Sequence, residues 1–430
     1  MSNELKPLHF DADYTMEEAL AEAKRCLNCP KPLCRMGCPI ENEIPRFIQA
    51  IARGNFGEAN DILAERTNLP SICGRVCPRE NQCEGNCIMN KAKKPPINIG
   101  KLERFAADFE SINELRKPKK IKQDLGKVAV VGSGPAGLSV AGDVAKLGYE
   151  VTVFEGQSEP GGVLLFGIPE FRLPKEIVQK EIDGLRKSGV KIETNMVIGR
   201  VLSVDELFEM GFEAVFIGTG AGLPRFMNIQ GEGLSGVYSA NEFLTRINLM
   251  KAYLHDYDTP INRPKSVAVI GGGNVAMDAA RSAKRLGAEK VYIVYRRSEA
   301  EMPARLEEVH HAKEEGIIFQ LLHNPVAIHG DEEGHVTAIE CVKMELGEPD
   351  ESGRRSPIVV EGSNFNLDVD TVIMAIGNSP NPLICQTTEG LEDRRGCIVV
   401  DEHMKTTRDG IYAGGDRYRC SNRNFGYGSR

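Results

Sequence analysis

Residues 127–155 read KVAVVGSGPAGLSVAGDVAKLGYEVTVFE, and this stretch decides the fold of the middle of the chain. An apolar strand is followed by a glycine-rich turn, a helix and a second strand. Gly132, Gly134 and Gly137 permit a tight turn, close approach of a pyrophosphate and close packing of the helix on the strand. The helix N-terminus favours phosphate binding, and Glu155 ends the second strand, where a carboxylate binds ribose hydroxyls. The stretch therefore predicts a dinucleotide-binding βαβ unit.

The same pattern returns at residues 266–297 as SVAVIGGGNVAMDAARSAKRLGAEKVYIVYRR. The residues that correspond to Gly132, Gly134 and Gly137 are Gly271, Gly273 and Ala276; we call each such set of three the fingerprint of its βαβ unit. Arg296 and Arg297 follow the second strand, where paired guanidiniums bind a 2′-phosphate that a carboxylate would repel. The pair favours NADP(H) over NAD(H), with Arg305 as a less secure third contact. The alternative interpretation is that both arginines are surface charges following a strand.

Length and composition limit the possible function classes. The chain has 430 residues, enough for about two or three domains. Its formal net charge of −8 argues against nucleic acid as a partner, because phosphate binding needs a basic face. No signal peptide is recognisable, and no apolar stretch approaches the roughly 20 residues that span a bilayer. We therefore expect a cytoplasmic protein without a membrane partner, in a compartment where disulfides are rare.

Eight cysteines fall into two groups before residue 90. The first group is Cys26, Cys29, Cys34 and Cys38, followed by Pro39, and the second is Cys73, Cys77, Cys83 and Cys87. A zinc ribbon usually has two short two-cysteine knuckles, each completing one tetrahedron. Runs that end in Cys-Pro are typical of ferredoxins, where the last cysteine of a run serves the other cluster. The spacing favours iron–sulfur clusters over zinc.

Both groups, the segment ICGRVCPRENQCEGNC (72–87) and the following PPINIGKLERF (95–105) resemble the small subunit of NAD(P)H-dependent glutamate synthase. The same module occurs in the amino-terminal half of dihydropyrimidine dehydrogenase and in a subunit of NADH-dependent ferredoxin:NADP oxidoreductase. The resemblance extends from about residue 15 to residue 416. It implies an α/β fold in which a helical iron–sulfur domain precedes two interleaved Rossmann-like domains of the glutathione-reductase type.

The resemblance also implies domain boundaries. A helical domain with two [4Fe–4S] clusters would occupy residues 1–122, and the first part of an FAD-binding domain residues 123–262. An NAD(P)H-binding domain would occupy residues 263–375. The second part of the FAD-binding domain would then comprise residues 376–430.

In the family that the chain resembles, the two cysteine groups cross between the clusters. One cluster would have as ligands Cys26, Cys29, Cys34 and Cys87, and the other Cys38, Cys77, Cys83 and Glu103. Glu103 stands where the dehydrogenase has a glutamine, and Cys73 would be a bystander. A carboxylate oxygen is a harder donor than a thiolate and would alter the cluster's potential and stability. The alternative interpretation of Glu103 is an exposed helical glutamate.

Further cofactor contacts follow from the resemblance. Gly162 and Arg172 lie in the family's flavin-contact region, and the sequence IGTGAG (217–222) corresponds to a loop of the FAD domain. The remaining predicted contacts are Gly218, Gly220, Gly377, Gly415 and Asp416.

These cofactors together imply an electron-transfer chain. NADPH would give a hydride to FAD, which can release electrons singly to [4Fe–4S] clusters, so no catalytic side chain is assigned. Position 2 is serine, whereas glutamine-dependent amide transfer in this class typically uses an N-terminal cysteine, and no large barrel follows. A large catalytic subunit of glutamate synthase is therefore the expected partner.

Two alternatives stay open at this point. One is a subunit of a ferredoxin:NADP oxidoreductase, sulfide dehydrogenase or pyrimidine reductase, whose partner would be another flavoprotein or a ferredoxin. The other is a non-catalytic iron–sulfur scaffold that has lost turnover.

The tail GIYAGGDRYRCSNRNFGYGSR (410–430) departs from the family after its GGD motif. The family continues there into a helix rich in alanine, valine and glycine. One codon choice for CSNRNFGYG, read one nucleotide later, encodes AATVILAMG, which matches that helix. The tail therefore predicts a frameshift and weakly held FAD, because a wall of the FAD site and its apolar burial would be lost. The alternative is a natural short variant.

Overall fold

A computed structural model describes residues 14–113, 121–254, 256–350 and 353–420. These residues form two compact units. The first comprises the described residues up to 165, together with 170–221 and 380–420. The second comprises residues 166–169 and the described residues of 222–379.

The amino-terminal part of the first unit is helical. Its helices are α1 (Met16–Lys24), α2 (Leu33–Met36), α3 (Ile44–Ala52), α4 (Phe56–Leu63), α5 (Pro70–Val76), α6 (Ile88–Lys91) and α7 (Ile99–Asn113). Thr15 begins α1 with a capping box, in which its side chain accepts from the Glu18 backbone and Glu18 accepts from the Thr15 backbone. In α3, Ile44, Phe47, Ile48 and Ile51 are buried at helical spacing and form one apolar face of the core.

The nucleotide-type fold of the first unit follows. Its elements are β1 (Lys127–Val131), α8 (Pro135–Lys146), β2 (Glu150–Phe154), α9 (Val163–Phe166), α10 (Lys175–Lys187), β3 (Lys191–Glu193), α11 (Val204–Glu209) and β4 (Ala214–Ile217). β1 pairs in parallel with both β2 and β4. The last four residues of β1 and of β2 are buried, as expected of parallel strands covered on both faces.

The second unit repeats this arrangement. Its elements are β5 (Leu223–Pro224), β6 (Val237–Ser239), α12 (Ala240–Asn248), β7 (Ser266–Ile270), α13 (Asn274–Arg285), β8 (Lys290–Tyr295), α14 (Leu306–Glu314), β9 (Ile318–Leu321), β10 (His323–Gly330), β11 (Val336–Pro349), β12 (Arg355–Val359), β13 (Phe365–Asp368) and β14 (Thr371–Met374). A parallel sheet has the strand order β6-β14-β7-β8-β9, and β10 to β13 form a separate antiparallel sheet.

The chain then returns to the first unit. The last elements are β15 (Asn378–Ser379), which still belongs to the second unit, α15 (Leu383–Thr387), β16 (Asp393–Arg394), β17 (Cys397–Val400), β18 (Ile411–Ala413) and β19 (Tyr418–Cys420). β18 pairs in parallel with β4 and completes the sheet β18-β4-β1-β2-β3. This return confirms the predicted interleaved α/β architecture with a helical amino-terminal domain.

The described residues cover only part of two sequence predictions, namely the frameshift in the tail and the absence of a membrane-spanning segment. The predicted frameshift in the tail falls mainly on residues 421–430, which lie outside them. Within the described ranges, no helix is both long and apolar enough to span a bilayer.

Candidate cofactor-binding sites

The first predicted set of thiols converges on one pocket. Cys26, Cys29 and Cys34 line it together with Cys87, which comes from the second cysteine group and lies just before α6. Apolar side chains complete the lining, among them Leu27, Leu33, Ile44, Ile48, Met89, Ile97 and Ile99. The fold therefore brings together the four residues that the resemblance assigned to one cluster.

The surroundings of these thiols fit a buried cluster. Burial raises the pKa of Cys26 and raises that of Cys34 to about 11, so the apolar pocket alone disfavours thiolates. The backbone N–H groups of Asn28 and Arg35 donate to the sulfurs of Cys26 and Cys34 and favour the charged form. Four thiols in an apolar wall, two of them with backbone donors, match the donor set of a 4Fe–4S cluster, whose charge stabilises thiolates.

The second predicted set also gathers in one place. Cys38, Cys77 and Glu103 all lie close enough to Cys83 to raise the pKa of its thiol electrostatically, although burial is the larger cause. Burial likewise raises the pKa of Cys38, and nearby Glu103 and Cys77 add to that rise. Cys38 follows α2, Cys77 caps the end of α5, and Glu103 lies on α7.

Glu103 is buried rather than exposed, with only 9% of its surface accessible. Burial raises the pKa of its carboxyl group, Cys77 and Glu84 raise it further, and the nearby Arg79 guanidinium lowers it. A charged carboxylate buried beside thiols is costly unless a cation or a metal cluster compensates it, and Arg79 supplies one such cation. Its surroundings fit an oxygen ligand to a second cluster and do not fit a helical surface residue.

Cys73 lies beside this set. Its thiol is hydrogen-bonded to that of Cys77, which raises the pKa of Cys73 together with burial, and it also lies 3.8 Å from Oγ1 of Thr67. Cys73 lies on α5, one helical turn before Cys77, which caps the end of that helix. The predicted bystander is thus a neighbour of a predicted ligand.

The segment that carries Cys77 is fastened to the nucleotide-type fold of the same unit. Nδ2 of Asn68 donates to the backbone oxygen of Ser139 at 3.0 Å and to Oδ1 of Asp143 at 2.7 Å, both on α8. The backbone N–H of Ser71 donates to Oε1 of Glu181 on α10 at 3.0 Å. A Cβ at position 142 would lie 2.6 Å from Cγ of Asn68, so only glycine leaves room for this contact. The second set of thiols therefore belongs to the part of the helical domain that packs on the nucleotide fold.

The first glycine-rich turn has the geometry of a phosphate loop. A Cβ at Gly137 would lie 1.9 Å from the backbone oxygen of Gly132, which requires glycine where helix α8 meets the strand. A Cβ at Gly134 would meet no atom within 4 Å, so open space faces this position at the start of α8. Space beside a helix N-terminus fits the pyrophosphate of a dinucleotide.

Glu155 is held by the loop that it was predicted to complement. Its Oε2 accepts from the backbone N–H of Ser133 at 2.9 Å, and its Oε1 accepts from that of Gln157 at 2.8 Å. Ser133 also donates its hydroxyl to Glu155 and accepts from the backbone of Gly161 at 2.9 Å. Ser133 was not predicted as a functional residue; its position between the fingerprint glycines was the available signal.

The other predicted flavin contacts lie around this loop or near it. A Cβ at Gly162 would lie 2.8 Å from Cα of Gly134, and one at Gly415 would lie 3.1 Å from Cβ of Ala136 at the start of α8. The backbone N–H of Gly218 donates to Val131 at the end of β1. Gly220 and the exposed Asp416 follow β4 and β18, and the half-buried Arg172 precedes α10.

The second fingerprint, in the second unit, has the same construction. A Cβ at Gly271 would lie 2.3 Å from the backbone oxygen of Ala375, while one at Gly273 would approach nothing closer than Pro303 at 3.9 Å. Gly273 caps α13, and Ala276 is fully buried in its first turn. Gly377 lies at the carboxyl side of β14 with a φ of +100°.

The two predicted phosphate-reading arginines differ in their surroundings. Arg296 is exposed directly after β8. Arg297 is only 6% exposed; its Nη2 lies 2.7 Å from Oδ2 of Asp350, and its Nε donates to the backbone oxygen of Arg355 at 2.7 Å. Arg296 is therefore accessible to a ligand, whereas Arg297 contacts other residues of the chain.

Arg305 is buried beside the second glycine-rich turn. Its backbone N–H donates to Oδ1 of Asn274 at 2.9 Å, and its side chain pairs with Glu307. Asn274 is the first residue of α13, so this hydrogen bond joins the start of α13 to the start of α14. Asn274 was not predicted as a functional residue, although its position directly after Gly273 could have indicated it.

Two family models match the chain. Pyridine nucleotide-disulphide oxidoreductase matches residues 126–424. Dihydropyrimidine dehydrogenase domain II, 4Fe-4S cluster, matches residues 6–115.

Similar proteins cover most of the chain. The glutamate synthase [NADPH] small chain of Halomonas elongata is 37% identical over 95% of this chain and 87% of its own length. The NADP(+)-dependent formate dehydrogenase subunit beta of Moorella thermoacetica is 39% identical over 89% of this chain and 56% of its own length. The solved structure of Mycobacterium tuberculosis FprA in complex with NADPH has a TM-score of 0.56 at 22% identity, covering 68% of this chain and 79% of that one. The last likeness concerns the fold alone.

Proposed function

Because this chain belongs to the glutamate synthase small-chain family of pyridine nucleotide-disulphide oxidoreductases, we propose that it feeds electrons from NADPH to a large catalytic subunit of the glutamate synthase type. Family membership confirms the predicted NADPH oxidoreductase with FAD, NADP(H) and 4Fe–4S chemistry. The number of clusters, their ligands and a cytoplasmic location remain predictions.

Each of the two units would bind one dinucleotide cofactor. Bound NADP(H) and FAD supply hydride chemistry, and 4Fe–4S clusters supply single-electron transfer. In the second unit, the start of α13 would bind the pyrophosphate of NADP(H), and Arg296 would bind its 2′-phosphate. In the first unit, the start of α8 and Glu155 would bind the pyrophosphate and ribose of FAD.

The helical domain would hold two clusters. The first pocket would use Cys26, Cys29, Cys34 and Cys87, and the second set would use Cys38, Cys77, Cys83 and Glu103. The apolar side chains that line the first pocket would lower the local dielectric and so affect the cluster's reduction potential.

The contacts between the helical domain and the nucleotide fold of the first unit support the proposal. Asn68 and Ser71 fasten the segment of Cys77 to helices α8 and α10, so predicted cluster ligands and the predicted FAD fold belong to one compact unit. Electron transfer between cofactors depends on fixed short distances, which such contacts maintain. A scaffold without turnover would not need the second set of thiols to be held against the nucleotide fold.

Anaerobic purification of the native protein tests the proposal. We expect NADPH to reduce a small artificial acceptor in the presence of the protein, and a large glutamate synthase chain to copurify with it. Absence of NADPH oxidation would support the non-catalytic scaffold. Copurification of a different redox enzyme would contradict the assignment to glutamate synthase.

A second candidate is the same electron-input role in another redox complex. The similarity to a formate dehydrogenase subunit beta favours it, since that relative is as close in identity as the glutamate synthase small chain. Both candidates share the chemistry within this chain and differ in the acceptor. The copurifying protein distinguishes them.

A further inference from the structure

The two chain segments that line the first thiol pocket also carry exposed apolar and basic residues. Leu27, which lines the pocket, is 65% exposed, and Met36 at the end of α2 is 75% exposed. We call residues 24–36 and 91–94, which flank the pocket's cysteines, the pocket rim. Large apolar side chains this exposed beside a redox pocket mark a candidate contact surface for another molecule.

The two sequence segments that contain the pocket rim have basic residues but no acidic ones. Residues 24–40 contain four basic residues, Lys24, Arg25, Lys31 and Arg35, and no aspartate or glutamate. Residues 86–101 contain four more, Lys91, Lys93, Lys94 and Lys101, and again no acidic residue. The whole chain has 53 lysines and arginines against 61 aspartates and glutamates, so these segments depart from its acidic balance.

The structure brings the two segments together. Arg25 donates from Nη2 to the backbone oxygen of Pro95 at 2.7 Å and from Nη1 to Glu22 at 2.7 Å. Glu22 in turn accepts from the backbone N–H of Asn98 at 2.9 Å. Arg25 and Glu22 therefore join the two lysine-containing segments beside the first thiol pocket.

The lysines of the pocket rim face solvent. Lys24, Lys31, Lys91, Lys93 and Lys94 are exposed, and in the described part of the chain none of them forms an ion pair. Arg35 pairs with Glu43, and Arg25 with Glu22, so the two arginines maintain the local structure. The exposed lysines are left to act on an approaching molecule.

Exposed apolar side chains together with unpaired charges of one sign are typical of a protein-docking surface. The apolar side chains supply buried contact area, and the charges steer a partner of opposite charge and fix its orientation. Resting on the proposed function, we propose that a redox protein with an acidic contact face docks on the pocket rim and exchanges electrons at the first thiol pocket. The partner's apolar contact would cover Leu27 and Met36, and its carboxylates would face the lysines.

Cytochrome c in two charge forms provides a matched pair of probes. Native horse cytochrome c is basic, whereas succinylation of its lysines makes the same haem protein acidic. Oxidation of one NADPH to NADP⁺ and a proton releases two electrons, which reduce two ferric haems. At low salt we expect the reconstituted protein to reduce the succinylated form at least about tenfold faster than the native form. That advantage should fall as ionic strength rises.

Charge-reversal variants locate the effect. Lys31→Glu, Lys91→Glu and Lys94→Glu combined should remove or reverse the preference for the acidic cytochrome, with unchanged iron content as the check on folding. The control combines Lys122→Glu, Lys187→Glu and Lys290→Glu, three exposed lysines elsewhere with the same total change in charge. The control should retain most of the preference. An equal loss in both triple variants would overturn the proposal, because it would show an effect of net charge alone.

A neutral quinone separates this proposal from the proposed function. If wild type reduces neither the quinone nor either cytochrome with NADPH, the proposed function fails. If it reduces the quinone but treats both cytochromes alike at every salt concentration, the docking proposal alone fails. Tight, salt-sensitive binding of duplex DNA without any preference between the cytochromes would assign the rim to a nucleic acid and also overturn the proposal.

Discussion

Arg297 forms an ion pair with Asp350, with Nη2 and Oδ2 2.7 Å apart, and this contact spans 53 positions of sequence. The same side chain donates to the backbone of Arg355, at the start of β12. Arg297 thus ties the end of β8 to β12, while its neighbour Arg296 is exposed. The two adjacent arginines that follow β8 therefore differ in exposure and in their contacts.

Arg296→Gln should weaken NADPH binding selectively. A charged hydrogen bond contributes roughly 1.5–3 kcal/mol, so we expect KM for NADPH to rise on the order of 10- to 100-fold. KM for NADH should barely change, because NADH lacks the 2′-phosphate. Arg297→Gln serves as the comparison and should mainly lower the stability of the second unit. Equal effects of Arg296→Gln on both nucleotides would show that this residue does not read the phosphate.

The two hydrogen-bonded cysteines of α5 should behave differently when replaced. Cys77→Ser removes a predicted ligand and should halve the iron content after anaerobic reconstitution. Cys73→Ser retains a small polar side chain beside Cys77 and should leave the iron content unchanged. Iron analysis and electron paramagnetic resonance of the dithionite-reduced variants measure both effects. Loss of the same amount of iron from each variant would contradict the ligand assignment.

A buried ion network holds α13 against α14 in the second unit. Arg281 is 1% exposed, and its Nη1 lies 2.5 Å from Glu308 and its Nη2 3.0 Å from Glu315. Arg281→Met would remove this partner from the buried Glu308 and leave Glu315 with Arg285; removing one partner of a buried ion pair typically costs about 3–5 kcal/mol.

Calorimetry of the whole protein should therefore show the unfolding transition of the second unit at a lower temperature in this variant. Arg186→Met is the control, because Arg186 and Asp183 form an exposed pair that contributes at most about 1 kcal/mol. A shift in the control as large as that in Arg281→Met would show that burial of the network is unimportant.

The same network predicts acid sensitivity. Burial alone would raise the pKa of Glu315, but Arg285 and Arg281 outweigh it, so the pKa lies below its usual value. A depressed folded-state pKa stabilises the protein above the unfolded value of about 4.3, and this contribution is lost as pH falls through the folded value. The melting temperature of the second unit should therefore fall below about pH 4.3, and less steeply in Glu315→Gln. An identical pH profile for wild type and Glu315→Gln would contradict this role.

The contact between Asn68 and α8 should affect electron transfer more than NADPH binding. Gly142→Leu would place a side chain where Asn68 lies, since even a Cβ would be 2.6 Å from its Cγ. Rapid-mixing experiments should show normal flavin reduction by NADPH but slower reduction of the clusters. Gly184→Leu, at a helical glycine with no atom near its Cβ position, is the matched control. Normal cluster reduction in a folded Gly142→Leu variant would separate this contact from electron transfer.

The conformation of the first glycine-rich turn was predictable from the sequence. The spacing of Gly132, Gly134 and Gly137 specifies a turn that depends on neighbouring residues, and the structure contains it. The gathering of Cys87 with Cys26 required the resemblance, because no local rule links residues 61 positions apart.

Long-range side-chain contacts were not predictable from the sequence. Asp350 engages Arg297, and Asn68 fits against Gly142, only because separate elements pack together in the folded chain. Glu103 illustrates the same limit, since one glutamate of an amphipathic helix gives no sign of burial until its neighbours are in place.

In the proposed function, NADPH delivers electrons through this chain to clusters bound by its helical domain. Anaerobic mixing of NADPH with reconstituted protein, followed by electron paramagnetic resonance and iron analysis, tests this electron transfer. We expect about eight irons per chain and a reduced-cluster signal that NADPH generates in wild type and that changes in Cys77→Ser. Stoichiometric zinc, or flavin reduction without any reduced-cluster signal in wild type, would contradict it.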